Sequence, residues 1–382
     1  MLILKQGTLM TMCEDPFVGD IAIEDGKIIG IGRHLPIPGG AQVLDVSGKT
    51  VLPGIVDAHS HIGLFESGTR ETDHNEKVDP IAPQLRGIDG INPLDSAFAD
   101  ALEAGITTCV TGPGSINLIG GTFTAVKSYS CNNTVEGMLL RQPVAMKAAL
   151  GENPKFRYTE MNRSPKSRLA CAALLRQALM DAADYNPDSS PKNPACEALL
   201  PVLSGKLPLK IHVHRASDIE TAIRIAEEFQ IRYTLDHCSE GYLIPHRLLD
   251  ALQKRCDGII LGPLMIYKRK LECANKLGVK LPVRLHQEGI PFAISTDFPE
   301  TIPRGMIPQV ALSVAEGLPE REALQAITIV PARIIGIDDR VGSLEVGKDA
   351  DLAIFSGHPL HYSSLCIMTF VGGHLAYERR NI

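Results

Sequence analysis

Short apolar runs separated by turn residues dominate the first fifty positions of the chain. They occupy residues 2–4, 20–24, 27–31, 42–45 and 50–52. Runs of this length with turn residues between them predict β-strands, and Glu24-Asp25-Gly26-Lys27 is typical of a hairpin turn. We therefore expect this segment to be all-β.

Beyond residue 54 the pattern changes to apolar strands that alternate with amphipathic helices. Helices are predicted at residues 93–104, 217–229, 244–254 and 281–288, and strands at 106–111, 143–150, 208–211, 231–236, 258–261 and 292–296. Gly105 closes the first helix, and Ser217 to Glu220 reads as a capping box. About eight β/α units of this kind predict an α/β fold, a TIM-type (β/α)8 barrel with a parallel sheet.

The tail returns to strands and turns at residues 342–355 and 371–377. We expect residues 1–54 and 341–382 to form one small composite β-sandwich domain, with the barrel of residues 55–340 inserted between its halves. Residues 153–208, rich in Pro, Asn and Ser, read as an irregular insertion with a helix near 169–183. This insertion is too long for a simple barrel loop, and a lid, an oligomer contact or a plain insertion all stay open.

The composition restricts the kinds of molecule that the protein is expected to bind and the cellular compartment in which it is expected to lie. The 382 residues are 44% hydrophobic and 21% charged, as in soluble globular proteins. No apolar run approaches the ~20 residues that span a membrane, and the N-terminus lacks a signal-peptide pattern. The net charge of −6 without a basic run argues against nucleic acid. Nine scattered cysteines without a Cys-x-x-Cys pair predict a cytoplasmic setting, and the oligomeric state stays open, a homo-oligomer included.

His59 and His61 end the first apolar run of the barrel segment. Residues i and i+2 of a strand share a face, so the two imidazoles project together and could supply half of a metal site. The ordinary alternative is a histidine pair that caps a strand and bonds to backbone.

Ligand-type side chains also follow four later predicted strands. They are Glu152, then His212 with His214, then His237, then Asp297. Each has an ordinary explanation alone, such as a hydrogen-bonded core histidine or a helix N-cap. Together they would converge at the C-terminal mouth of a barrel, and imidazole with carboxylate suits zinc or a similar divalent first-row metal.

These motifs resemble the amidohydrolase superfamily of metal-dependent hydrolases. The matching residues are Pro53 to His61, His212, His237, Ser295-Thr296-Asp297 and Gly347-Lys-Asp-Ala-Asp-Leu352, so the resemblance covers nearly the whole chain. Within the superfamily the chain is most similar to amidohydrolases related to imidazolonepropionase, through the stretches 112–121 and 146–155.

The resemblance implies a set of metal ligands. His59 and His61 would bind from strand 1, His212 and His237 from strands 5 and 6, and Asp297 from strand 8. Binuclear relatives add a bridging glutamate or carboxylated lysine, for which Glu152 is preferred here and Lys147 is the alternative. One or two ions are therefore expected, and the site is mononuclear if neither residue reaches the metal.

A bound divalent ion lowers the pKa of its water to around 7, so metal-bound hydroxide would attack a polarised carbonyl. Asp297 would take the water's proton and pass it to the leaving nitrogen. We expect hydrolysis of a C–N bond in an amide, cyclic amide or dipeptide-like small molecule. The alternatives are a deaminase of the same superfamily or a non-catalytic scaffold. Deaminase-type relatives carry a glutamate two or three residues after the strand-5 histidine, where this chain has His214 and Arg215, and this favours amide hydrolysis.

Other side chains receive weaker assignments. His214 shares the face of His212 and is assigned to a catalytic substrate contact or to an alternative ligand. Asp57 is expected to support the site structurally. A solvated loop is the default assignment for Glu66, Arg70 and His74, which follow strand 1. Arg215, Lys127 and Arg304 are candidates for holding a substrate carboxylate.

Overall fold

The computed structural model describes residues 1–66, 72–188, 190–265 and 277–380. Its strands in chain order are β1 Leu2–Leu9, β2 Phe17–Glu24, β3 Lys27–Gly32, β4 Gln42–Asp45, β5 Thr50–Pro53, β6 Ile55–Ser60, β7 Ile106–Thr111, β8 Ile119–Lys127, β9 Leu139–Ala149, β10 Leu209–Val213, β11 Tyr233–His237, β12 Cys256–Leu261, β13 Ala293–Ile294, β14 Leu352–Phe355, β15 Cys366–Val371 and β16 His374–Glu378. Its helices are α1 Ser96–Glu103, α2 Val135–Met138, α3 Glu152–Glu160, α4 Arg168–Ala183, α5 Pro194–Leu203, α6 Ala216–Glu228, α7 Pro245–Lys254, α8 Leu281–Gln287, α9 Met306–Ala315, α10 Glu320–Gln325 and α11 Ile329–Ile335.

One sheet joins strands from both ends of the chain. Its order is β16-β15-β14-β5-β1-β2-β3, with β4 also paired to β1. The junction is the antiparallel pair β14 and β5, in which Leu352 lies opposite Pro53. The predicted strands near both termini therefore pair as neighbours. A sandwich of two packed layers and the exact domain boundaries stay predictions.

The second sheet places β6 to β13 side by side in chain order. Its two edge strands approach each other, because the Asp297 amide that follows β13 donates to the His59 carbonyl of β6 at 2.9 Å. The result is a mixed α/β fold with a nearly closed, barrel-like sheet. Buried aliphatic side chains of these strands and of the surrounding helices form the largest hydrophobic core.

Strand β8 departs from the expected parallel barrel. It pairs antiparallel with both β7 and β9, whereas the other neighbouring pairs of this sheet are parallel. Residues 112–118 lead from β7 into this strand. Gly121 has a φ of 110° and lies against the Leu85 carbonyl, where a side chain would clash. This glycine therefore lets the two backbones approach closely at the start of β8.

Helices occupy much of the segment predicted to be irregular. Strand β9 leads directly into α3, and α4 and α5 follow. Helix α4 begins after Ser167, whose side chain accepts from the Ala170 amide, and it buries Cys171, Leu175 and Leu179 along one face. A four-residue repeat of this kind is a helical stripe packed against neighbours.

Helix α6 starts differently from the prediction. It begins at Ala216, so Ser217 lies inside the helix and the predicted capping box is wrong. The Ala216 amide instead donates to the Glu240 carboxylate at 2.9 Å. A side chain from a distant segment therefore supplies the acceptor that a local cap would otherwise provide.

The two sheets are tied together by a buried ionic cluster. Lys127 at the end of β8 lies 2.9 Å from Asp349 and 2.5 Å from Asp351, both from the segment before β14. Asp349 also pairs with Lys27 and Arg340. None of the helices in the described part of the chain is long and apolar enough to cross a membrane.

Candidate metal centre

Four strand ends bring imidazoles and one carboxylate together at one end of the barrel-like sheet. His59 lies in β6, His212 in β10 and His237 at the end of β11, while Asp297 follows β13. The ring of His237 lies 5.0 Å from that of His59 and 4.4 Å from that of His212. All four side chains are largely buried. Residues far apart in sequence thus share one small volume.

Asp297 stands at the centre of this group. Its Oδ1 lies 3.4 Å from His59 Nε2 and 3.5 Å from His61 Nε2. Its backbone lies in the left-handed region, with a φ of 52°. Burial raises the pKa of Asp297, but His237, His61 and His59 outweigh burial and hold that pKa well below its usual range. The carboxylate is therefore ionised and can accept a proton or bind a cation.

The outer ring nitrogens of three histidines are fixed by acceptors. His59 Nδ1 donates to Asp236 at 2.6 Å, His61 Nδ1 donates to the Gly112 carbonyl at 2.7 Å, and His237 Nδ1 donates to the Gly262 carbonyl at 2.5 Å. Carbonyl oxygens only accept, so these rings carry the proton on Nδ1. Their Nε2 atoms are therefore the potential metal ligands, as is usual when a partner fixes the tautomer.

A buried lysine pairs with Asp236, the carboxylate that contacts His59. Lys210 is fully buried, and its ammonium lies 3.1 and 3.0 Å from the two carboxylate oxygens of Asp236. Burial, with Lys147 and Lys210 nearby, lowers the pKa of His59 well below its usual value, which keeps that imidazole neutral. Lys210 is not among the site residues predicted from the sequence, although a lysine two residues before His212 on an apolar strand is a readable signal.

The two bridge candidates lie in different surroundings. Lys147 of β9 is fully buried, and its Nζ lies 3.5 Å from His59 Nε2. Glu152 is the first residue of α3, half-buried at the wall of the cavity, and lies outside the metal-ligand groups found among the described residues. The preference for Glu152 stays a prediction, and Lys147 is in direct contact with His59.

His214 lies beside the predicted ligands rather than apart from them. Its ring stacks on that of His237, with centroids 4.8 Å apart and an interplanar angle of 18°. Its Nδ1 lies 2.8 Å from Ser239 Oγ. Two groups of three side chains could each hold a metal ion, because within each group the ligand atoms lie within 4.8 Å of one another. One group is His212, His214 and His237, and the other is His59, His237 and Asp297.

A cavity of about 580 Å³ opens onto these residues. His61, His212 and Asp297 form part of its wall, and His74 joins them. The default assignment of His74 to a solvated loop is wrong: its ring lies 5.4 Å from that of His61, and burial lowers its pKa to about 3. A neutral imidazole therefore faces the cavity. Arg70 lies outside the described residues.

A larger groove of about 1140 Å³ lies between the ends of α4, α5 and α6, and its described lining contains no histidine. Lys127 and Arg304, predicted as substrate contacts, bind carboxylates elsewhere: Lys127 binds Asp351, and Arg304 binds Glu103. Arg215 occupies the position before the first residue of α6 and is also absent from the described lining of the 580 Å³ cavity.

Asp57 serves the closure of the sheet. Its carboxylate accepts from the Thr296 amide at 3.2 Å and from the Thr296 hydroxyl at 2.5 Å, which joins β6 to the segment after β13. Burial raises its pKa to about 7. Asp57 therefore joins the two segments that carry His59 and Asp297.

The chain is similar to known proteins in both sequence and fold. A model of the amidohydrolase family matches residues 265–375. The crystal structure of an amidohydrolase from Thermotoga maritima MSB8 is similar with a TM-score of 0.95 and 34% sequence identity, covering 99% of this chain and 100% of that one.

Two curated relatives are more distant. Amidohydrolase tasK of Hapsidospora irregularis is 25% identical over 396 residues, covering 95% of this chain and 40% of that protein. An imidazolonepropionase of Idiomarina loihiensis is 27% identical over 383 residues, covering 91% of this chain and 89% of that protein. The chain therefore spans less than half the length of tasK.

Proposed function

This chain is an imidazolonepropionase-like member of the amidohydrolase superfamily, and we propose that it hydrolyses a C–N bond of a small amide, cyclic amide or dipeptide-like substrate. The observation that carries the proposal is the meeting of His59, His61, His212 and His237 around the Asp297 carboxylate beside one cavity. Substrate identity is not fixed by the fold.

The donor set suits a divalent metal ion. Among the described residues, Nε2 of His237 is buried without a hydrogen-bond partner, although it points among other imidazoles and a carboxylate. A buried polar atom without a partner costs free energy, and a bound metal ion would supply the partner that this nitrogen lacks. Neutral imidazoles with one carboxylate match zinc, which we propose as the metal. When bound, such an ion polarises a carbonyl and acidifies water.

The side chains of the chain itself supply the proton transfer. Asp297 is ionised and 14% exposed, so it can reach a water molecule in the cavity. It accepts the proton of the attacking water and delivers it to the nitrogen as the C–N bond breaks. His74, neutral at the cavity wall, can donate to or accept from a polar group of the substrate.

Deamination receives less support from the residues around His212. A glutamate two or three positions after this histidine would be the proton carrier expected in deaminase-type relatives. The chain has His214 and Arg215 there, and His214 bonds to Ser239. Asp297 is thus the ionised carboxylate in direct contact with His59 and His61.

The test combines metal analysis with a substrate screen of lactams, N-acyl amino acids, dipeptides and aminopurines. We expect zinc in the purified protein and turnover of an amide. Asp297→Asn should lower kcat by about 10²–10⁴-fold, the usual contribution of general acid–base catalysis. Asp89→Asn, at an exposed carboxylate, is the matched control. A near-wild-type kcat in Asp297→Asn would refute the assigned role.

Two other results would replace the proposal. Ammonia release from aminopurines without amide turnover would indicate a deaminase. A chain that neither contains nor takes up metal would indicate a non-catalytic scaffold. Localisation in the cytoplasm also stays a proposal, to which the eight described cysteines, all free, add support.

A further inference from the structure

Arg157 is the one permanently charged cation in the described lining of the 580 Å³ cavity. It lies on α3, the helix that follows β9. The cations predicted from the sequence to hold a substrate carboxylate do not line this cavity; they are Lys127, Arg215 and Arg304. An anionic group of a bound substrate would therefore find its guanidinium partner in Arg157.

Helix α3 also fixes how far Arg157 lies from the candidate metal centre. Asn153 lies one turn earlier on the helix, and its side-chain amide is 3.5 Å from Nε2 of His212. Residues four apart on a helix share a face, with their Cβ atoms roughly 5–6 Å apart. Both side chains line the same cavity. A small substrate at the metal centre can therefore extend one helical turn along α3 to reach Arg157.

The guanidinium of Arg157 is only partly used by the protein. Nη2 donates to the Lys77 carbonyl at 3.3 Å, while Nη1 lies 4.0 Å from the Glu160 carboxylate, too far for a hydrogen bond. Among the described residues, Nε of Arg157 is buried without a hydrogen-bond partner, which costs free energy. A guanidinium binds a carboxylate through two parallel N–H donors, and such a ligand would supply the missing acceptor.

Three glutamates restrict where a substrate carboxylate can lie. Glu152, Glu160 and Glu300 line the same cavity as Arg157. Like charges brought together without compensation are unfavourable, so a carboxylate placed against these side chains would be repelled. The single guanidinium among them therefore fixes the orientation of the substrate as well as its charge.

We propose that Arg157 binds a carboxylate of the substrate and so selects amides that carry a free carboxylate, such as N-acyl amino acids, over neutral lactams. The inference rests on the proposed hydrolysis of a C–N bond and narrows its substrate class. Arg157 determines specificity and takes no part in the proton transfer that Asp297 performs. Its loss should therefore raise KM and leave kcat nearly unchanged, as expected for binding that is equal in ground and transition states.

The experiment compares acids with their carboxamides. The full chain loaded with zinc is assayed on N-acetyl amino acids and dipeptides, and on the same molecules with the terminal carboxylate converted to a carboxamide. We expect the wild type to prefer the acids by about 10–100-fold in kcat/KM, the range for a hydrogen bond to a charged group. Arg157→Met should raise KM for the acids by that factor and leave the carboxamides unchanged. Arg157→Lys should recover part of the preference, because it keeps the charge but not the paired donors.

Arg163→Met is the matched control. Arg163 is an exposed arginine just beyond α3 that donates to the Val78 carbonyl, as Arg157 does to the adjacent Lys77, and it is absent from the described lining of the cavity. It should change neither KM nor the preference for acids. If Arg157 only held residues 77–78 against α3, its loss would affect acids and carboxamides alike. Arg157→Gln repeats the measurement with a polar side chain, in case the methionine variant is poorly folded.

The proposal is overturned if the wild type cleaves carboxamides and lactams as well as acids, or if Arg157→Met and Arg157→Gln keep the wild-type preference. Failure of the proposed hydrolysis is a separate outcome. If no amide in the screen is cleaved, binding of the acids is measured by calorimetry. Binding that weakens by about 10–100-fold in Arg157→Met would keep this inference and lose the proposed function, whereas equal binding by both proteins would lose both.

Discussion

Lys210→Met tests the ionic support beneath His59. Lys210 and Asp236 are both fully buried, and the ammonium lies 3.1 and 3.0 Å from the carboxylate oxygens. Removing one partner of a buried pair leaves an uncompensated charge and costs about 3–5 kcal/mol. Methionine is similar in length and flexible, so loss of packing should add little. We therefore expect the free energy of unfolding to fall by about 3–5 kcal/mol.

The same substitution should weaken metal binding in a pH-dependent way. Lys210 is one of the cations that lower the pKa of His59. Without it, the Asp236 carboxylate 2.6 Å from Nδ1 favours the protonated imidazole, which cannot bind a metal ion. A pKa that rises in this way makes proton competition stronger at low pH. Zinc affinity should therefore drop more at pH 6 than at pH 8.

The assay is urea unfolding of the metal-free chain together with chelator competition at both pH values. Lys206→Met, at an exposed lysine, is the matched control. Lys210→Met with Asp236→Asn removes both charges and should recover most of the stability, because replacing a whole buried pair by neutral groups is often tolerated. If Lys210→Met alone unfolds within about 1 kcal/mol of the wild type, the pair is not the ionic support described here.

Two further predictions concern the bridge and the junction of the sheets. Lys147→Met should lower the zinc content and Glu152→Gln should not, because Lys147 Nζ lies 3.5 Å from His59 Nε2; the reverse result in elemental analysis would make Glu152 the ligand. Asp349 has its pKa lowered from 3.8 to about 2, since burial raises that pKa but Lys127, Lys27 and Arg340 lower it more. Its contribution to stability is therefore complete above pH 4 and lost as the pH falls through 2. Asp349→Asn should be less stable than the wild type at pH 6, with a difference that shrinks between pH 4 and pH 2 in urea unfolding; a difference that is constant with pH would contradict this account.

The sequence pattern predicts some strands together with their bounds. The strand predicted at 42–45 is found at those residues, and the strand predicted at 106–111 is β7 itself. The pattern fails at β8, where glycines mask an extended segment that is stabilised by its neighbours β7 and β9. It fails again at Ser217, because the acceptor for the first turn of α6 comes from Glu240. In both places the deciding partner is distant in sequence.

The residues of the candidate site also differ in whether the sequence alone could group them. Parity along a strand places His59 with His61 and His212 with His214 on common faces, so the sequence alone could group them. The contact of Lys210 with Asp236 depends on the register between β10 and β11, in which His212 lies opposite Asp236. The burial of His74 depends on how a loop folds back over His61. Register and loop packing are set by tertiary contacts that a single sequence does not display.

His214 links the ligand set to the choice of reaction. A glutamate near this position would bring a negative charge beside His212 and His237, which would reduce the positive charge felt by a substrate carbonyl. The imidazole of His214 adds no carboxylate charge beside His212 and His237, so a divalent ion bound there would polarise a carbonyl more strongly than an ion beside a glutamate. The same exchange removes a proton carrier from β10 and leaves that task to Asp297, which is ionised and in contact with His59 and His61. Strong polarisation with one carboxylate for proton transfer is what hydrolysis of an amide requires, and the residue that speaks against deamination therefore also fits the proposed chemistry.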